Sequence, residues 1–401
     1  MVTLQDIEAA RRRMREAVYL TPCTSTEHFS RVLGCEAFFK LENLQRTGSF
    51  KERGALNKLL LLTPEERGRG VIAASAGNHA QGVSYHSGRL GIPATIVMPE
   101  ATPLIKVSST RSFGARVILF GANFDESLAE AQRIAAAETL TFVHPFDDDA
   151  IIAGQGTIGL ELVEQNPFLE LVIVPIGGGG LIAGVAAAMK EVNPRVRVVG
   201  VESAALPKMK AAVAAGHPVT IDAARTLADG IAVRRAGERT LPMVQRYVDE
   251  IVACDDEEVA NAILLLLERE KTVAEGAGAI ALAAAVNGKL RVAGKRVAML
   301  ISGGNIDVNL ISRIIERGLV KDGRLVRLSV TVPDRPGSLA ALTQLVARER
   351  ANVVEIHHNR AFSHGSLGDT LVELVLETRG SGHIDELVQA LGQAGYAVSR
   401  D

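Results

Sequence analysis

The stretch Val172-Ile173-Val174-Pro175-Ile176-Gly177-Gly178-Gly179-Gly180-Leu181 runs an unbroken apolar segment into four consecutive glycines, and an Ala-rich segment, residues 182–191, follows. A continuous Val/Ile run of this length predicts a strand covered on both faces, as in a parallel sheet, with the Ala-rich segment as the helix that returns over it. A tight turn needs one or two glycines, not four. Four remove every Cβ from the turn, so the backbone can wrap a phosphate while the helix dipole adds attraction. The loop is not a Walker A motif, because no Gly-Lys-Ser/Thr follows, and the dinucleotide pattern lacks a suitable third glycine.

Similar runs recur on either side, at residues 71–74, 94–98, 116–120, 196–201 and 297–301, separated by helical stretches such as 255–268. Strand alternating with helix gives βαβ units and a mainly parallel sheet. Roughly 300 residues of this pattern exceed one simple sheet and predict two α/β lobes with a cleft between them. Near Lys321-Asp322-Gly323-Arg324 the pattern changes. Beyond it the order strand (325–332), helix (337–349), strand (353–359), strand (370–378), helix (384–393), strand (396–398) spells βαββαβ, the ferredoxin-like plan.

Composition excludes several function classes. A formal net charge of −2 and an aromatic content of 4% without Trp give no reason to expect nucleic acid or an anionic membrane as partner. Cys23, Cys35 and Cys254 are scattered with no CxxC pair, which argues against a disulfide framework or a structural zinc and fits a reducing cytoplasm. The first 18 residues read as an amphipathic helix bearing Arg11, Arg12, Arg13 and Arg15, without the apolar core of a secretory signal. No apolar run is long enough to span a bilayer.

Three further constellations carry chemistry. Lys51 lies in Ser49-Phe50-Lys51-Glu52-Arg53-Gly54-Ala55; alone it would read as a surface lysine. Ser75-Ala76-Gly77-Asn78-His79-Ala80-Gln81-Gly82 follows a strand and opens a helix, so its backbone N–H groups favour an anion such as a carboxylate. The alternative there is a plain cap, with Ser75 or Asn78 closing the first turn. Ser302, in Ile301-Ser302-Gly303-Gly304-Asn305, either caps the next helix or offers a hydroxyl to a cofactor ring nitrogen. Strand C-termini are where open α/β sheets place ligands. Together these segments supply an amine, a carboxylate nest, a phosphate cradle and a hydroxyl, the set pyridoxal phosphate needs to act on an amino acid.

In this order the four motifs resemble threonine dehydratase (threonine ammonia-lyase), a fold-type II pyridoxal-phosphate enzyme related to serine racemase and tryptophan synthase β. The likeness covers residues 1–320. The tail resembles an ACT domain, with Val332-Pro333-Asp334-Arg335-Pro336-Gly337-Ser338-Leu339 fitting its first strand-to-helix turn. The resemblance implies an α/β, two-lobed, tryptophan synthase β-like catalytic region over 1–320, with a small lobe of about 52–153 inserted in a large one. A linker at 321–325 and a ferredoxin-like ACT domain at 326–401 would complete the chain. It implies that Lys51 holds pyridoxal 5'-phosphate as a Schiff base with Phe50 beside the ring. Asn78 would meet the phenolic oxygen, Gly177, Gly178, Gly179, Gly180 and Leu181 the phosphate, and Ser302 the pyridine nitrogen. Ser75, Ala76, Gly77, Asn78 and His79 would receive the substrate carboxylate. L-Threonine is the expected substrate, with L-serine beside it.

Residue 76 discriminates within that family. Serine racemases of this type resemble Ser-Ser-Gly-Asn, the second Ser acting as base on the opposite face; Ala76 stands there, so elimination should dominate. Some relatives bind a divalent cation through a Glu and an Asp six residues later; Glu202 matches the first and Lys208 stands at the second, a departure that counts against a divalent ion at that spot and leaves cation dependence open. Glu275 stays open between a neighbour of the cofactor ring and a helix-start residue favoured by the dipole. His357 and His358 face opposite sides of a strand, and Asp147-Asp148-Asp149 reads as a solvated turn. The tail implies isoleucine or valine as effector of a cytoplasmic homo-oligomer, dimer or tetramer. Two rivals remain: a serine or threo-3-hydroxyaspartate ammonia-lyase, and a non-catalytic amino-acid sensor.

Overall fold

The structure is a computed structural model and describes residues 1–359 and 368–400. The chain divides into two compact units, Met1–Ile306 and Asp307–Asp401.

The first unit holds two sheets. The larger has six strands in the order Cys23–Ser25, Glu36–Leu41, Arg296–Ile301, Leu171–Pro175, Arg197–Ser203 and Glu250–Cys254, parallel except for the first pair. The smaller is a four-stranded parallel sheet, Arg116–Leu119, Ala94–Met98, Val71–Ala74 and Thr141–Phe142. All its strands fall, in sequence, between two strands of the larger sheet. Val71–Ala74, Ala94–Met98 and Leu171–Pro175 are buried at every position, which is why they read as continuous apolar runs.

Three strands of the larger sheet escaped the pattern, and Cys23–Ser25 is too short and too little buried to leave one. Glu36–Leu41 contains Lys40, whose ammonium is wholly buried against Glu161 at 2.6 Å, so a core strand carries a charge. Glu250–Cys254 is only half-buried at the sheet edge. The helix Gly180–Val192 begins inside the glycine run and lays Ile182, Val185 and Met189 against Val172, Val174, Val198, Ala298 and Leu300 of the sheet. That packing anchors the glycine loop to a rigid strand on one side and a rigid helix on the other.

The second unit is an antiparallel sheet in the order Asn352–Asn359, Asp369–Glu377, Leu325–Pro333, Ala397–Arg400, with helices Ser338–Arg348 and Ser381–Gln393. Val326, Leu328, Val330 and Val332 alternate inward along the first strand and meet Leu342, Val346, Ile384, Leu387 and Leu391 from the helices. The unit starts at Asp307, so the helix Val308–Lys321 counts with it, and Asp322–Arg324 is the turn that joins this helix to the sheet. No helix among the described residues is long and apolar enough to cross a membrane.

Candidate active site

Lys51 is the first residue of the helix Lys51–Leu60, and the backbone just before it is fixed by the segment after the strand Arg296–Ile301. Ser49 bridges Gly303, the Phe50 N–H donates to the Ser302 carbonyl at 3.1 Å, and the Gly304 N–H donates to the Gly48 carbonyl at 2.9 Å. Asn305 closes the seam from its side chain to the Thr47 carbonyl at 2.7 Å. Three hydrogen bonds thus place Lys51 and Ser302, far apart in sequence, at one end of the larger sheet.

The Lys51 ammonium donates to the Pro145 carbonyl at 2.8 Å and lies 5.3 Å from the centre of the Phe50 ring. Burial lowers its pKa to about 8, with Glu275 pulling the other way. Pro145 leads directly into Phe146, and Phe146 lies against the glycine loop: a Cβ on Gly178 would overlap its ring, and one on Gly180 would come within 2.7 Å of its carbonyl oxygen. Gly179 has φ +103° and faces Thr240, whose hydroxyl donates to the Gly178 carbonyl at 2.6 Å. Three of the four glycines therefore have a packing or conformational reason as well. Among the described residues, no hydrogen bond starts from the N–H of Gly177 to Leu181, and the helix has no side-chain cap. A buried N–H without an acceptor costs about 1–3 kcal/mol, so this loop is shaped for an anion.

The second N–H cluster is built the same way. The helix Asn78–Leu90 has Gly77 as its cap residue and no side-chain cap; Ser75 Oγ accepts from the Gly77 N–H at 3.2 Å instead. The capping alternative for Ser75 or Asn78 is thereby removed. His79 turns into the core, where its Nε2 donates to the Val143 carbonyl at 2.9 Å and Nδ1 has no partner. Burial, helped by the Lys51 charge, lowers its pKa to about 3, so it is a neutral ring at neutral pH.

Asn78 is buried and doubly held: its Nδ2 donates to Glu275 at 2.6 Å, and its Oδ1 accepts from Asn305 at 2.7 Å. Glu275 resolves toward the site. Burial, with Asp229 adding to it, raises its pKa to about 7, and its carboxylate occupies the space a side chain at Gly303 would need. Ser302 is buried and its hydroxyl donates to the Ala277 carbonyl at 3.2 Å. Lys208 is also inside, its Nζ 3.2 Å from Glu202 and 2.7 Å from the Ile176 carbonyl.

Asp147-Asp148-Asp149 is not the solvated turn the sequence suggested. Asp147 accepts from the N–H groups of Glu238, Arg239 and Thr240, Asp148 caps the helix Asp149–Gln165 and pairs with Lys58 at 2.6 Å, and Asp149 pairs with Arg239 at 2.9 Å. These contacts fix Phe146 and Thr240 on the glycine loop. His357 and His358 are exposed on the strand Asn352–Asn359, and His357 pairs with Glu355 at 3.5 Å.

A family model for the pyridoxal-phosphate dependent enzyme matches residues 14–303, and an ACT domain model matches residues 326–393. The chain belongs to the pyridoxal-phosphate-dependent enzymes. It is 52% identical over 398 residues to the L-threonine ammonia-lyase of Thermotoga maritima, covering 99% of either chain. Among solved structures it is similar to the processed threonine deaminase isoform 2 of Solanum lycopersicum, with a TM-score of 0.75 and 37% identity over 78% of this chain and 86% of that one. Maize serine racemase gives a TM-score of 0.75 and 33% identity, covering 80% of this chain and 98% of the other. The residues present fit pyridoxal phosphate: a half-buried, deprotonatable amine, a run of unpaired N–H groups for a phosphate, and a buried hydroxyl lie within one connected seam. The second unit is an ACT domain.

Proposed function

We propose that this pyridoxal-phosphate enzyme eliminates water from L-threonine and yields 2-oxobutanoate and ammonia, with L-serine as a second substrate. The observation that carries this reading is one half-buried amine of lowered pKa, Lys51, at a site whose opposite proton-carrying position is Ala76. Support for the substrate comes from the threonine ammonia-lyase relative that matches over nearly the whole chain.

Gly177 to Leu181 would hold the cofactor phosphate, Lys51 its carbonyl carbon, Asn78 its phenolic oxygen and Ser302 its ring nitrogen, with Phe50 beside the ring. Bound there, pyridoxal phosphate supplies an electron sink conjugated with the substrate nitrogen, which acidifies the Cα–H bond. The N–H groups of residues 75–79 orient the substrate carboxylate. Lys51, displaced by the substrate amine, takes the Cα proton as a neutral base. The Cβ–O bond then breaks, and the hydroxyl leaves as water after gaining a proton. The released enamine takes up water and falls to 2-oxobutanoate and ammonia. Ala76 offers no proton to the other face of Cα, so inversion is a minor route. Ser302 presents a neutral hydroxyl, which does not force a proton onto the ring nitrogen as a carboxylate would.

We take the ACT unit to bind isoleucine or valine, and the chain to work as a cytoplasmic homo-oligomer, dimer or tetramer. Rate curves that respond to either amino acid are expected in the full-length protein; superimposable curves contradict the effector. Comparing kcat/KM for L-threonine, L-serine and threo-3-hydroxyaspartate tests the substrate. L-Threonine should lead, and a preference for hydroxyaspartate of about a hundredfold would overturn the assignment. An absorption band at roughly 410–420 nm in the wild type, lost in Lys51→Ala, separates the enzyme from a non-catalytic sensor.

A further inference from the structure

Lys208 and Glu202 have no part in the chemistry above, yet both side chains are fully buried. The Lys208 ammonium sits among three oxygens: the Ile176 carbonyl at 2.7 Å, the Ile231 carbonyl at 3.3 Å and Glu202 Oε1 at 3.2 Å. Glu202 is itself held by the N–H groups of Met209 at 2.8 Å and Lys210 at 2.9 Å, in the first turn of the helix Lys208–Ala215. Burial works against the charge on Lys208, and Glu202 works for it.

The two carbonyls belong to the two loops that wall the site. Ile176 is the residue before Gly177, and its own N–H is taken by Val201. Ile231 is the residue on which Gly177 rests, its Cα 3.5 Å from where a Gly177 Cβ would stand. The neighbouring Gly230 lies 3.2 Å from Glu275 by the same measure. Two carbonyl dipoles aimed at one buried point repel unless a positive charge lies between them, and here one does. It is balanced by a single carboxylate, so the cage takes one positive charge and no more.

The geometry points to Lys208 as a positioning residue, a tethered monovalent cation that draws the Ile176 and Ile231 carbonyls together and so holds Gly177–Gly180 in the form that receives the cofactor phosphate. The proposal rests on the reading of that loop as the phosphate cradle. A side-chain ammonium does inside the fold what a free cation does where carbonyl oxygens replace its water shell. Wild-type protein should therefore be indifferent to potassium or ammonium. Removing the chain beyond Cβ leaves the buried Glu202 carboxylate without its cation, held by two backbone N–H groups alone, and opens a hole that a small cation can fill.

The test uses full-length wild type, Lys208→Ala and Lys208→Met, stripped of cofactor, in tetramethylammonium chloride of constant ionic strength with or without ammonium or potassium chloride. Two quantities are read: the dissociation constant of added pyridoxal phosphate and the melting temperature of the cofactor-free chain. Wild type should give flat responses. Lys208→Ala should bind the cofactor about tenfold more weakly, and ammonium should restore both its affinity and its melting temperature. Lys208→Met, whose stem fills the hole, should be weakened to a similar degree and ignore every cation. Wild-type affinity in Lys208→Ala together with a melting temperature that ignores ammonium, or a loss of affinity that ammonium does not restore, overturns the tethered cation. If Lys208→Ala does not fold, Lys208→Met decides: unaltered cofactor affinity overturns the proposal. Melting that follows ammonium while cofactor affinity stays at the wild-type level overturns the phosphate-cradle reading on which the proposal rests.

Discussion

Lys51 and Arg53 stand two residues apart at the start of the same helix, Arg53 fully buried and Lys51 half-buried. Arg53 meets Glu42 through Nε at 2.7 Å and Nη2 at 2.8 Å, and Glu161 through Nη1 at 2.6 Å and Nη2 at 2.8 Å. Lys40 joins the same cluster through Glu161, the Thr21 carbonyl and Gln165, so two cations face two carboxylates with their donors used. Burial opposes the charge on Arg53, yet the two carboxylates drive its pKa above the ordinary arginine value. Lys51 has one neutral carbonyl as partner and its pKa falls to about 8. Both are shielded from water, Arg53 fully and Lys51 in part, but their partners differ. A buried charge that is fully paired is fixed in place and serves the fold, while one left with a weak partner can lose or gain a proton during a reaction.

Exchanging the roles should break the molecule in two different ways. Lys51→Ala should lower the rate of 2-oxobutanoate formation from L-threonine by about a thousandfold or more, with a melting temperature close to wild type because only one hydrogen bond is lost. Arg53→Met should do the reverse. Urea unfolding should show about 3–5 kcal/mol less stability, since Glu42 and Glu161 are left buried with Lys40 alone, while the folded fraction keeps its turnover per bound cofactor.

The pH dependence sharpens the same contrast. Only the neutral amine of Lys51 can attack the cofactor, and it prevails above its pKa of about 8. Uptake of pyridoxal phosphate by the stripped protein should therefore slow about tenfold per unit as pH falls below 8, and level off above it. A stopped-flow profile that is flat from pH 6 to 9 would contradict a lowered, titrating amine. The smallest effect is expected of Glu275→Gln. Glu275 holds the Lys51 pKa up against burial, so removing its charge should move the midpoint of that profile to lower pH.

Much of this was legible in the sequence because it is local. The glycine run, the Ser75–His79 segment and Ser302 each follow an apolar strand, and the strand's end fixes where they point. Lys51 gained meaning only beside them. What the sequence hid is contact between distant segments. Glu275 reaches Asn78 across 197 positions, and this bond is what turns a helix-start glutamate into part of the site. Thr240 and Asp147 brace the glycine loop from segments with no motif of their own, so a run of three aspartates looked like solvent-facing polarity when each had a partner. Lys208 stood out as a departure from a relative's pattern, but its three oxygens are visible only in the fold.

Lys51 is the residue that would carry the cofactor. Reducing the loaded wild-type protein with borohydride and mapping the labelled peptide by mass spectrometry tests it directly. The label should lie on Lys51; a label on any other lysine, with Lys51 unmodified, would contradict the account.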